Sequence, residues 1–269
     1  MSADQKTDQE TIALTGATGF IGPFLVQAFV NAGYHVQALT RRPQPSQPGV
    51  TWIEGDLFDD NALKKLLNKA HMVVHAAGAI KARNRDQFFQ INETATDNLV
   101  RHCTGRPITR FVLISSLAAR EAHLSPYAAS KAAGEQIIIK HLDETIPWVI
   151  LRPPAVYGAG DQETLKIFKA VRSGYAPLLD LDAKASWIHA EDLAQGTLAA
   201  LRDEGPVSQI LPLDDGSGGY LTRDIYELIA ELLGSKVHVF KVSASLLSFL
   251  GLLNDCLLYT SPSPRDFAI

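Results

Sequence analysis

Leu14-Thr15-Gly16-Ala17-Thr18-Gly19-Phe20-Ile21-Gly22 is the stretch that decides the fold. A short β-like run, Thr11 to Leu14, leads into it, and an amphipathic segment, Phe20 to Ala32, leads out. Strand, glycine turn and helix in that order form the context in which a glycine pattern points to a dinucleotide. Gly16 permits the tight exit from the strand, Gly19 leaves room for a pyrophosphate, and Gly22 lets the helix lie close to the sheet. The helix N-terminus then offers free N–H groups, including those near Thr18, Phe20 and Ile21, and a positive dipole end to the phosphates.

Outward from that turn, strand-like and helix-like segments alternate, which predicts a doubly wound (Rossmann) α/β fold with a parallel sheet. Strands are expected at Tyr34–Thr40, Val50–Ile53, Met72–Ala76, Arg110–Ile114 and Pro147–Leu151. Helices are expected at Asp59–Ala70, with Leu63, Leu66 and Leu67 on one face, at Asp86–Cys103 and at Ser125–His141. After Arg152-Pro153-Pro154 the rhythm becomes irregular. Helices are expected at Glu163–Arg172, Glu191–Arg202 and Thr222–Leu233, and strands at Trp187–His189, Gln209–Leu213 and Lys236–Lys241. This divides the chain into a polar N-terminus (1–10), a nucleotide-binding core (11–152) and a mixed part (153–255) that completes the core and supplies an incomplete substrate lobe.

The net charge of −4 gives no electrostatic case for nucleic acid or an anionic membrane. No apolar run is long enough to span a bilayer, and Met1 to Glu10 has neither a basic nor an apolar leader region. Cys103 and Cys256 provide no disulfide framework, so a cytoplasmic protein is expected. The run Cys256 to Asp266 matches one reading frame of a common transposon-end sequencing adapter. Residues 256–269 are therefore expected to be a non-native tail on a truncated gene fragment; a genuine Ser/Pro-rich tail is the alternative.

Tyr127-Ala-Ala-Ser-Lys131 sets a phenol and an ammonium four residues apart, on one face of a helix. A free phenol titrates near 10 and is a poor acid–base catalyst at neutral pH. A cation one turn away favours phenolate and brings it toward the useful range. Ser116, at the end of the preceding strand, can hydrogen-bond the same substrate oxygen. Together they suit proton transfer to or from a carbinol oxygen as hydride moves at its carbon.

In this ordered set the chain resembles an extended short-chain dehydrogenase/reductase of the NAD-dependent epimerase/dehydratase kind. The resemblance covers about Thr11 to Lys241. It rests on Thr15 to Gly22, Asp56-Leu57, His75-Ala-Ala-Gly78, Asn92, Ser116, Tyr127/Lys131 and Leu151-Arg-Pro-Pro-Ala-Val-Tyr-Gly158. It implies that Asp56 and Leu57 hold the adenine, and that Ala76, Ala77 and Gly78 pass beneath ribose and phosphates. Asn92 would order water in a proton relay, and Lys131 would bind the nicotinamide ribose as well. Pro153, Pro154 and Val156 would pack along the nicotinamide. Ser115 is the alternative to Ser116.

The second strand ends in Thr40-Arg41-Arg42 rather than an acidic residue. Guanidiniums there would welcome a 2′-phosphate, so NADP(H) is the expected cofactor, with NAD(H) open. His75 and His102 lack metal-ligand spacing, and no metal is expected. His189 and Asp192 read as structural, and Lys81, Arg83 and Arg85 as a solvated basic loop that could instead meet a phosphate or carboxylate. Tyr157 and Trp187 line either the pocket or the core. The activity implied is oxidoreduction of a small-molecule carbonyl or alcohol. A nucleotide-sugar epimerase or dehydratase is the near alternative, and a non-catalytic nucleotide sensor or assembly factor the distant one. A homodimer through the helices at Asp86–Cys103 and Ser125–His141 is implied by analogy.

Overall fold

The computed structural model describes residues 9–142, 145–202 and 204–243. The adapter-like run with Cys256, and Leu246–Leu253, lie outside the described residues. Strands β1 (Thr11–Thr15), β2 (His35–Thr40), β3 (Val50–Glu54), β4 (Met72–His75), β5 (Arg110–Ile114) and β6 (Trp148–Arg152) are interleaved with helices, except that β3 follows β2 directly. These are α1 (Gly22–Asn31), α2 (Asp60–Leu66), α3 (Arg85–Phe89), α4 (Ala95–Cys103) and α5 (Pro126–Leu142). The second part contains β7 (Ala155–Tyr157), α6 (Thr164–Ser173), β8 (Tyr175–Leu178), β9 (Lys184–Ala185) and β10 (Trp187–His189). It continues with α7 (Ala190–Leu201), β11 (Gln209–Pro212), β12 (Tyr220–Leu221), α8 (Thr222–Leu232) and β13 (His238–Lys241).

The main sheet has seven strands in the order β11-β6-β5-β4-β1-β2-β3, and its neighbours pair in parallel. Every residue of β1, β4 and β5 is buried, because helices cover both faces of the sheet. One apolar layer holds Leu25, Phe29, Leu193 and Leu198 of α1 and α7; the other holds Leu63, Leu66, Leu99 and Ile138 of α2, α4 and α5. The doubly wound fold expected from the sequence is the fold observed. Chain direction across the sheet reverses between β1 and β4, which opens a crevice at their carboxyl ends.

Two helices differ from their expected extents. Helix α2 stops at Leu66 because Lys69 adopts φ of 62°, a left-handed conformation that ends the segment. The expected helix Asp86–Cys103 is broken into α3 and α4 by a π turn at Gln90–Thr94, where Ala95 N–H reaches back to the Gln90 carbonyl. The wide turn inserts a residue into the helical period, which side-chain spacing does not reveal. In the second part β7 pairs with β10, β8 with β13 and β9 with β12. Helices α6 and α8 meet around Val171, Ile229 and Ala230.

Candidate active site

The glycine turn lies at the reversal point. Gly16 has φ of +79°, and a Cβ there would stand 2.6 Å from the backbone of Ala76 and Ala77. A Cβ on Gly22 would stand 2.2 Å from the Ala17 carbonyl oxygen. Gly19, exposed at the crest beside exposed Thr18, has only the Gly16 carbonyl near its Cβ direction, at 3.3 Å. Among the described residues the N–H groups of Phe20 and Ile21 have no hydrogen-bond partner. They belong to a turn that leads directly into α1, which has Pro23 in its first turn. The turn therefore offers unpaired donors and a surface free of side chains to an anion.

The run Ala76 to Gly78 leaves β4 against that turn, with Ala77 N–H donating to Thr15 Oγ1 at 3.2 Å. Its far end meets Lys131: a Cβ on Gly78 would lie 3.3 Å from Lys131 Nζ and 3.0 Å from Asn92 Oδ1. Lys131 donates to the Ile114 carbonyl, the last residue of β5, at 2.9 Å. Tyr127 sits one turn earlier on α5, partly buried, its ring 6.1 Å from that of Phe88. Burial pulls the Lys131 ammonium down to about 8, and the Glu135 carboxylate opposes that shift.

Ser116 follows β5 and caps a short 3-10 helix, Leu117–Glu121, by accepting from Ala118 N–H at 3.2 Å. That leaves its hydroxyl proton free to donate. Ser115 is buried and gives its hydroxyl to Glu135, whereas Ser116 is partly exposed. Asn92, in the π turn, accepts from Ala79 N–H at 2.7 Å and donates to Ala79 O at 3.0 Å and to Ser130 Oγ at 2.9 Å. It thus clamps the loop after Gly78 onto the helix of Tyr127 and Lys131.

Arg41 and Arg42 are exposed after β2, and neither forms an ion pair among the described residues. Thr40 shapes that corner, donating its hydroxyl to Arg42 O at 2.7 Å. Asp56 is exposed and accepts from Phe58 N–H at 2.8 Å, while buried Leu57 gives its carbonyl to Asn98 at 2.6 Å. Pro153 is buried and accepts from Leu117 N–H at 2.9 Å; Pro154 and Val156 are partly buried, Val156 being paired with Ile188.

Spacing left several contributors unread. Glu135, Arg152 and Ser115 form a buried polar cluster beneath Lys131, and the Lys131/Glu135 four-residue spacing was its only signal. Lys81 is exposed and pairs at the surface with Glu163, which also holds Lys166 at 2.7 Å. Arg85 lies 4.7 Å above the Phe89 ring. His189 accepts from Glu191 N–H at 3.3 Å at the start of α7, and its ring lies 5.1 Å from that of Tyr157. At the start of α6 lies a cavity of about 430 Å³, lined by Tyr157, Gly158, Gly160, Asp161, Gln162, Thr164, Leu165 and Phe168.

A parallel sheet with this glycine turn at its reversal point is a dinucleotide-binding fold, and the Tyr127/Lys131 pair on α5 is of the short-chain dehydrogenase/reductase type. Residues 12–211 match the NAD dependent epimerase/dehydratase family, and the chain belongs to it. It is 36% identical to a ceramide reductase of Caulobacter vibrioides over 96% of this chain and 81% of that protein. It is 30% identical to a 2-alkyl-3-oxoalkanoate reductase of Stenotrophomonas maltophilia, over 70% of this chain and 68% of the relative. Among solved structures, MoeE5 in complex with UDP-glucose and NAD superposes with a TM-score of 0.74 at 25% identity, covering 87% of this chain and 85% of that one. Among the described residues no helix is long and apolar enough to cross a membrane.

Proposed function

We propose that the protein reduces a ketone carried on a long apolar chain, using NADPH. The observation that carries the reading is the single run Ala76–Gly78, which abuts the glycine turn at one end and Lys131 at the other. A dinucleotide laid across it would have phosphates at Phe20 and Ile21 and nicotinamide beside Tyr127, Lys131 and Val156. The residues fit such a group: Gly16 and Gly19 leave room, Asp56 lies at the adenine end, and Arg41 and Arg42 stand free for a 2′-phosphate.

A reduced nicotinamide held there would supply hydride for the carbonyl carbon. Ser116 donates its hydroxyl to the carbonyl oxygen and holds it. Tyr127 passes its phenolic proton to that oxygen as the carbon is reduced, and the Lys131 charge offsets the phenolate left behind. Asn92 keeps Ala79, and through it Gly78, in place against Lys131. The part of the chain from Pro153 onward provides the substrate side.

The substrate class rests on two supports. The ceramide and 2-alkyl-3-oxoalkanoate reductases are named for substrates with alkyl portions. The cavity at the start of α6 has Tyr157, Leu165 and Phe168 in its lining and includes no Lys or Arg. The carboxylate of Asp161, its charged lining residue, is engaged by the N–H groups of Glu163 and Thr164. A nucleotide-sugar substrate, the alternative that MoeE5 suggests, would call for cationic side chains at its diphosphate, and this lining has none.

The test is turnover of NADPH with 3-oxo compounds of graded chain length. Long chains should give the higher kcat/KM, and Tyr127→Phe should lower kcat by about 100-fold or more while still binding NADPH. A Tyr127→Phe enzyme as fast as the parent, or a UDP-sugar turned over in preference to every ketone, would sink the reading.

A further inference from the structure

His75 ends β4 with its side chain fully buried, and spacing assigned it no part in the chemistry. Both ring nitrogens are nevertheless engaged. Nδ1 lies 2.6 Å from Thr15 Oγ1, and Nε2 lies 2.9 Å from Thr96 Oγ1. The flanking bonds fix the directions. Thr96 donates its hydroxyl to the Asn92 carbonyl at 2.8 Å, and a hydroxyl has one proton to give. Thr96 must therefore accept from His75 Nε2–H. Nδ1 is then the acceptor and takes the hydroxyl proton of Thr15, whose oxygen accepts from Ala77 N–H.

The outcome is one unbroken line of donors. It runs from Ala77 N–H to Thr15, from Thr15 to His75, from His75 to Thr96, and from Thr96 to the Asn92 carbonyl. One end abuts the glycine turn; the other is the π turn that holds Ala79 beside Lys131. A second ring proton would collide with the Thr15 hydroxyl proton and break the line. Burial, aided by the Lys131 charge, pulls His75 down to about 3 and keeps the ring neutral. The Asn92 carbonyl also packs against α5: a Cβ on Gly134 would stand 2.4 Å from it.

We propose that His75, fixed as the neutral Nε2–H tautomer, is a positioning residue for the hydride-transfer site, locking the Asn92 π turn to the carboxyl end of β1. Movement of that turn shifts the Gly78–Ala79 loop and the seat of Lys131 together. The proposal rests on the catalytic reading of Tyr127 and Lys131, so its test includes readouts that need no substrate.

In the full chain labelled with 15N-histidine, NMR should show His75 as Nε2–H, with no midpoint near 6.5 as pH is varied. An Nδ1–H pattern, or an ordinary titration, overturns the proposal even if the enzyme is active. Thr96→Val removes the hydroxyl at nearly constant volume, and Thr96→Ser retains it. Amide exchange at Ala79, held by Asn92, should quicken about tenfold in Thr96→Val and stay near the parent in Thr96→Ser. With a ketone substrate, Thr96→Val should lower kcat about 10–100-fold while KM and NADPH binding stay within about twofold. Thr96→Ser should restore most of the rate. Unchanged Ala79 exchange and parental kcat in Thr96→Val would overturn the positioning role. If no ketone is reduced by the parent, the functional reading fails, while the tautomer and the Ala79 exchange still decide this one.

Discussion

Glu135 holds the guanidinium of Arg152 through both carboxylate oxygens, one helical turn past Lys131. The Arg152 Nε bond is 2.9 Å, and Ser115 gives its hydroxyl to the same carboxylate. The pair ties α5, which carries Tyr127 and Lys131, to the end of β6. It also sets a negative charge near Lys131, which works against the loss of the Lys131 proton through burial.

Replacing Glu135 with Gln should therefore have two separable effects. The Arg152 side chain, 19% exposed, loses its partner, and breaking a buried pair from one side costs about 3–5 kcal/mol. Urea unfolding at neutral pH measures this, and a loss below about 1 kcal/mol would contradict it. Lys131 also loses the charge that supports its ammonium form. In the parent, ketone reduction should decline as pH rises past about 8. In Glu135→Gln the decline should begin at lower pH, and an unmoved or raised limb would disconnect Glu135 from Lys131.

The three glycines of the turn should behave differently when each becomes Ala. A methyl on Gly16 meets Ala76 and Ala77 backbone at 2.6 Å, at a φ of +79° that side chains disfavour; on Gly22 it meets the Ala17 carbonyl at 2.2 Å. Both variants should lose about 2–4 kcal/mol of stability or fail to fold. On Gly19 the methyl meets only the Gly16 carbonyl at 3.3 Å. Gly19→Ala should unfold within about 1 kcal/mol of the parent yet bind NADPH about tenfold more weakly, the methyl intruding on the phosphate. Thermal unfolding and fluorescence titration distinguish the cases. Gly19→Ala with parental NADPH affinity would remove the phosphate from the crest of the turn.

The parts of this fold legible in the sequence are those where burial on both sides gives a strand an unbroken apolar run, as in Phe111–Ile114, which with Arg110 makes up β5 as expected. The glycine turn was legible because Gly16 and Gly22 answer to backbone contacts that no other residue tolerates. The π turn was not, since Asn92 and Thr96 keep helical spacing while the backbone widens between them. Strands β7 and β12 are too short to show a period. The buried line through His75 was invisible because only packing brings Thr15, His75 and Thr96 together from separate elements, and the cluster at Glu135 showed only as its four-residue spacing from Lys131.

Arg41 and Arg42 offer the sharpest choice between cofactors. They are exposed beyond β2, with no ion-pair partner among the described residues, and their corner is shaped by the Thr40–Arg42 bonds rather than by the guanidiniums. Changing both to Ala should leave stability within about 0.5 kcal/mol. NADPH affinity should fall about 10–100-fold, the worth of a charge-assisted bond to phosphate, while NADH affinity stays within about twofold. Equal losses for both cofactors would mean that the arginines act on something other than the 2′-phosphate.

Acid should unfold the protein partly through His75. Its native value, about 3, lies below the ordinary value of 6.5, so between the two the unfolded chain binds a proton that the native ring refuses. Protonation therefore favours unfolding, and the loss grows as pH falls from about 6.5 toward 3. From pH 7 to pH 5 this single group should cost about 2 kcal/mol. His75→Gln keeps one donor and one acceptor but has no proton to gain. It should start less stable at pH 7, since the amide cannot reproduce the ring geometry, yet lose about 2 kcal/mol less than the parent on going to pH 5. Urea titrations of both proteins at the two pH values give the difference directly. Parallel losses in parent and variant would mean that His75 takes up its proton in the native state, and with it the line from Thr15 to Asn92 would be broken in moderate acid.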